Sequence, residues 1–169
     1  MQNSGTFNPA KPLISQAERN TNLWIGHLQN DPQDHLAGQT FTCPTSGLIN
    51  NIQVYTAAVH SPGSLELTLH EFDSDSRKWG AVICQSAIEL ERNDEKRWIR
   101  FELPAVPLQG GMSYGFQLSA PNAMVALGEA ATGTHHPFTF GHEWNGNSPQ
   151  HTGVFYSYFS LAFKVEMCA

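Results

Sequence analysis

Residues 128 to 153, GEAATGTHHPFTFGHEWNGNSPQHTG, gather histidines, acids, amides and a tryptophan between glycine-rich turns. Trp144 offers a flat apolar ring, while Glu143, Asn145 and Asn147 beside it, and Glu129 earlier in the stretch, offer hydrogen-bonding edges. This set suits stacking on the C–H face of a pyranose, with amides and carboxylates bonding the ring hydroxyls. Tyr156 and Tyr158 follow closely and extend the candidate ligand-binding set. The competing reading of each ring is packing, because most aromatic side chains are largely buried.

His135, His136, His142 and His151 lie in the same stretch and are weak candidates for a zinc or iron site. The order HHPFTFGHE lacks the H-x-H and following Glu of a cupin-type centre, and adjacent His142 and Glu143 on a strand would face opposite ways. Asp73 and Asp75 leave room for a structural calcium, without the remaining acids of an EF-hand loop; no other cofactor is expected. For catalysis there is no G-x-S-x-G. Glu129 with Glu143, or Glu66 with Glu102, are candidate carboxylate pairs whose separation the sequence does not reveal. Cys84, among Val82 and Ile88 on an inward face, is poorly placed as a nucleophile.

The elements that must position these residues read as strands. Ile99, Phe101 and Leu103 alternate with Trp98, Arg100 and Glu102; Met112, Tyr114, Phe116 and Leu118 alternate with small and polar residues. Leu65, Leu67 and Leu69 alternate with Glu66, Thr68 and His70 after the turn SPGS. Val82, Cys84, Ile88 and Leu90 make another inward set, as do Phe41 with Cys43, and Leu48, Ile52 and Val54, with Asn50 and Gln53 leaving room for a bulge. Phe159, Leu161, Phe163 and Val165 close the chain inward, and Tyr55, Trp79 and Trp98 fall outside the inward alternation. About eight to ten short strands without a helix indicate an all-β, two-sheet antiparallel sandwich. Residues 1 to 22 read as an N-terminal arm, residues 23 to 169 as a single sandwich domain, and residues 128 to 153 as a long irregular insertion.

Composition narrows the partners. A formal net charge of -6, a pI near 5.7 and only nine Lys and Arg argue against nucleic acid. The longest apolar run is far short of the roughly 20 residues a membrane helix needs, so no membrane insertion is expected. Cys43, Cys84 and Cys168 allow at most one internal disulfide and lack CxxC spacing. The opening MQNSGTFNPAKP has no basic and apolar leader pattern. Low charge and abundant Gly, Ser, Thr, Asn and Gln favour an extracellular or cell-surface protein whose leader is absent from this chain, with the cytoplasm as the alternative.

The order of these pieces resembles jelly-roll accessory domains of bacterial secreted hydrolases and surface proteins, related in shape to carbohydrate-binding modules. The residues carrying it are Gly38 to Thr42, Gly47-Leu48-Ile49, Ile52 to Tyr55, Leu65 to Leu69, Trp98 to Phe101, Val106-Pro107-Leu108, Tyr114-Gly115-Phe116 and Leu161 to Lys164. Where that family carries Tyr-Gly and Gly-Asp or Gly-Gly turns before the last strand, this chain has Phe140-Gly141-His142 and Asn145-Gly146-Asn147. The resemblance implies a sandwich of jelly-roll, galactose-binding-like type and a noncatalytic role in binding, anchoring or spacing. The leading expectation is a module for a glycan or another surface-associated ligand. The alternatives are a structural module that forms a homo-oligomer or docks into a larger secreted assembly, and a metal-dependent enzyme using His135 to His151.

Overall fold

The structure, a computed structural model, describes residues 10–27, 30–133, 136–148 and 150–169. Within them every regular element is a strand except one 3-10 turn, Arg92–Asp94. In chain order the strands are β1 (Ala10–Gln16), β2 (Thr21–His27), β3 (Asp34–Thr42), β4 (Gly47–Ser61), β5 (Gly63–Asp73), β6 (Lys78–Leu90) and β7 (Arg97–Glu102). They continue as β8 (Pro107–Leu108), β9 (Ser113–Ser119), β10 (Met124–Ala131), β11 (Glu143–Ser148), β12 (Thr152–Tyr156), β13 (Phe159–Leu161) and β14 (Phe163–Cys168). All pairings are antiparallel.

The strands form one hydrogen-bonded sheet that curls over itself into an antiparallel β-sandwich of jelly-roll type. The first layer runs β12-β11-β3-β9-β5-β6. In the second, β4 pairs with β14 and β7 through its first half and with β10 through its second, while β1 extends β14 and β2 and β13 flank β10. Short pairing of β2 with β3 joins the layers. Period-two patterning explains the core: Leu65, Leu67 and Leu69 from β5, Ile99 and Phe101 from β7, and Phe116 and Leu118 from β9 are all buried. The Phe163 ring of β14 lies 6.4 Å from Phe41 of β3 and 5.7 Å from Phe116 of β9, so it packs across the two layers.

Three residues expected inside are outside. Leu48 is 45% exposed, because the register of β4 shifts at Asn50 and turns Ile49 inward together with Ile52. Val82 is 53% exposed; a register shift in the β5–β6 ladder places it opposite His70 on the outer face. Met112, 52% exposed, sits before β9 in the turn that follows Gly110 and Gly111. Residues 10–16 of the expected arm form the edge strand β1, and β2 begins at Thr21. The expected irregular insertion is also more regular than its composition indicates, since it holds the end of β10, all of β11 and the start of β12.

Candidate functional site

The β11–β12 hairpin docks on β3, with Trp144 opposite Gly38 on one side and Phe155 on the other. Its indole lies over two glycines of the hairpin: a Cβ at Gly146 would sit 2.2 Å from the ring and one at Gly153 2.4 Å from its Nε1. Trp79 covers it edge-on at 5.5 Å and also packs near Phe72, His70 and Phe155. Trp144 is only 2% exposed. The expectation of a Trp144 stacking platform is therefore corrected: glycines on its own hairpin let the ring fold down into a second, outer aromatic core.

The expected polar edges do not surround an open ring either. Glu143 and Glu129 are buried, which corrects their reading as surface contacts. Asn145 and Asn147 are half-buried in the ladder, and the Asn147 carbonyl accepts from the His151 amide at the hairpin tip. Tyr156 is half-buried and packs edge-on against Phe159 at 5.5 Å. Tyr158, also half-buried, accepts the Thr132 amide on its carbonyl.

His135 lies outside the described residues. His136 is exposed in a turn, His142 is half-buried with its backbone bonded to Thr40, and His151 is exposed with a φ of 52°. Among the described residues no three His, Cys, Asp or Glu converge to hold a metal ion. In the DSDS turn, Asp73 Oδ1 accepts the amides of Asp75 and Ser76. All three cysteines are free, and burial pushes the Cys43 and Cys84 thiols up.

Of the two carboxylate pairs, the structure brings Glu129 and Glu143 together inside the sandwich. Glu143 stands opposite Gln39 of β3 and so shares the inward side of Phe41; Glu129 stands opposite Leu161 of β13. The Gln39 Oε1 accepts from the Leu161 amide at 3.1 Å, tying β3 to β13 beside the pair. Glu143 is 0% and Glu129 5% exposed, and the two carboxyls are close enough to repel each other. Burial first, then the Glu129 carboxylate, pushes the Glu143 pKa up to about 10. The Asn145 amide pulls weakly the other way, without reaching hydrogen-bond geometry to either Glu143 oxygen. A sealed interior has no room for a glycoside between two acids, so this is not a glycosidase pair.

An open aromatic surface lies elsewhere, on the outside of the second layer. Tyr55 of β4 and Trp98 of β7 are direct cross-strand neighbours, both half-buried, meeting edge-on at 5.6 Å. The Arg19 guanidinium lies 3.7 Å over the Tyr55 ring and the Lys164 ammonium 4.1 Å over the Trp98 ring. Gly128 gives Arg19 and Tyr55 their room, since a Cβ there would come within 3.0 Å of both side chains. The next rank across the strands is Lys164, Gln53 and Arg100, and the one beyond it Glu166, Asn51 and Glu102. Gln53 Nε2 donates to Glu166 Oε1 at 2.9 Å and to Asn51 Oδ1 at 3.0 Å; Arg100 Nη2 donates to Asn50 Oδ1 at 2.9 Å and its Nε lies 2.6 Å from Glu102. These bonds hold amide, cation and carboxylate groups in fixed positions beside two rings.

The hollows of the first layer are chemically plainer. One is lined by Glu66, Thr68, Gln117, Ser119 and His151, with no Phe, Tyr or Trp among its lining residues. Another, about 580 Å³, lies between the turns at 73–78 and 109–113; of its rings, Trp79 caps Trp144 and the Tyr114 hydroxyl accepts the Gln109 amide. The outward parity of Tyr55 and Trp98 is visible in the sequence, but nothing local announces that Arg19 and Lys164 reach the same rings. No protein-family model matches the chain, and no curated protein matches it.

Proposed function

We propose that the chain is a noncatalytic binding module for a carbohydrate, using the Tyr55–Trp98 face of the second layer. The observation that carries this reading is the pair of half-exposed rings bordered by Gln53, Arg100 and Glu166 in fixed hydrogen-bonded positions, with Lys164 over the Trp98 ring. Rings supply apolar contact to the C–H face of a sugar, and the flanking groups supply donors and acceptors for its hydroxyls. Lys164 holds its ring by an exposed cation–π contact worth about 0.5–1 kcal/mol, weak enough to yield to a ligand. Such a module suits the cell exterior, as the accessory-domain resemblance implies. A saccharide array tests it: the intact chain binds, Trp98→Ala and Tyr55→Ala abolish the signal without unfolding, and Thr68→Ala on the other layer leaves it intact. An empty array, or equal signals from all three variants and the parent, would sink the proposal.

One observation favours a second reading, an assembly module. β6 ends the strand order, is 13 residues long, and carries no charged residue between Trp79 and Ile88. Edges of this kind invite pairing with another chain. Light scattering that finds only monomer at high concentration removes this reading.

A further inference from the structure

The Glu129–Glu143 pair lies outside the binding face and has a chemistry of its own. Both carboxyls are buried, they come from different layers through β10 and β11, and among the described residues no group donates in hydrogen-bond geometry to either Glu143 oxygen. Two ionised carboxylates in contact away from water repel each other and lack solvation, so the arrangement needs a positive partner. Among the described residues the surroundings do not supply one. β3 contributes Gln39, whose Oε1 is already an acceptor; β12 contributes Tyr156 opposite Glu143; β13 contributes Ser160 and Leu161; and β11 itself adds Asn145. The only titratable groups facing Glu143 from these elements are Glu129 and Tyr156, and neither is a cation.

We propose that this pair is an interior proton-binding site: one proton sits between Glu129 and Glu143 at neutral pH, as an acid–carboxylate hydrogen bond that clasps the two layers. The proton comes from solvent as the chain folds and returns there when it unfolds. Folding therefore takes up one proton, and stability declines with rising pH until the site empties.

A clean window for the test exists. His70 and His142 are held below the usual imidazole value of 6.5, and Cys43 and Cys84 above the usual thiol value of 9.0. Between about pH 7 and about pH 8.5 these four groups are mainly neutral whether folded or not, so among the groups whose values the fold shifts Glu143 is the one whose protonation changes on unfolding. The melting temperature of the intact chain is then expected to fall by about 3–5 °C per pH unit in this window. Glu143→Gln keeps the shape, needs no proton and should melt at the same temperature throughout. Infrared spectra give a reading that needs no variant: the folded parent at about pH 8 retains a protonated carboxylic acid band, where free carboxyls are ionised. A pH-independent melting temperature or a missing acid band in the parent overturns the proposal. So does a melting temperature at about pH 8.5 that rises with added calcium or manganese and drops with a chelator, since the partner would then be a metal ion rather than a proton.

Discussion

Replacing Trp144 by Ala is the sharpest way to separate packing from recognition. The ring is 2% exposed, rests on Gly146 and Gly153, and meets Trp79 edge-on at 5.5 Å. Truncating a buried tryptophan costs about 3–5 kcal/mol, of which the aromatic pair accounts for roughly 0.5–1.5 kcal/mol. In a chain of this size each kcal/mol moves the melting temperature by about 2–4 °C, so Trp144→Ala should lower it by roughly 6–20 °C. Trp98→Ala, on an open face, should cost about 1 kcal/mol or less. Urea unfolding of both variants, with saccharide binding of Trp144→Phe measured alongside, gives the comparison. The packing account predicts a large loss of stability for Trp144→Ala and retained binding for Trp144→Phe. If Trp144→Ala instead costs less than about 1 kcal/mol and abolishes binding, the ring is a ligand contact and the reasoning fails.

Other outcomes follow from particular contacts. A Cβ at Gly141 would lie 1.8 Å from the Thr40 carbonyl oxygen, so Gly141→Ala should cost more than about 2 kcal/mol in urea unfolding; a silent substitution would mean this segment is not seated on β3. In Glu143→Gln, the urea midpoint should fall as pH drops from about 7 to about 5.5, because desolvation keeps His70 and His142 neutral in the folded chain while the unfolded chain takes up protons below 6.5. An unchanged midpoint would show that neither imidazole is shielded. Thiol titration of the native chain at about pH 8 should label half-buried Cys168 first, well ahead of Cys43 and Cys84, whose burial raises their pKa. Equal labelling rates would contradict the closed core.

The sandwich was largely legible from alternation. Leu65 to Leu69, Ile99 with Phe101, and Phe116 with Leu118 carry the pattern without interruption, and each run is a strand with that face buried. Alternation misplaces Leu48 and Val82 because one extra residue in a ladder reverses every later side chain, and the position of a bulge depends on the partner strand. The hairpin at 143–156 was obscured by composition: Gly146 and Gly153 look like loop residues, yet they are the seats of the Trp144 ring. Glu129 and Glu143 were recognisable as a candidate pair, but only the crossing of layers shows that they meet inside. Tyr55 and Trp98 were readable as outward rings, whereas their cations come from residues 19 and 164, far away along the chain.

Affinity of the intact chain and of Trp98→Ala for a saccharide selected on the array tests the binding face most directly. A recognition surface built on the Tyr55–Trp98 pair predicts at least about a tenfold weaker dissociation constant for the variant, equivalent to roughly 1.4 kcal/mol, at a melting temperature lowered by no more than about 4 °C. Equal affinities for the two proteins would place recognition somewhere other than this face.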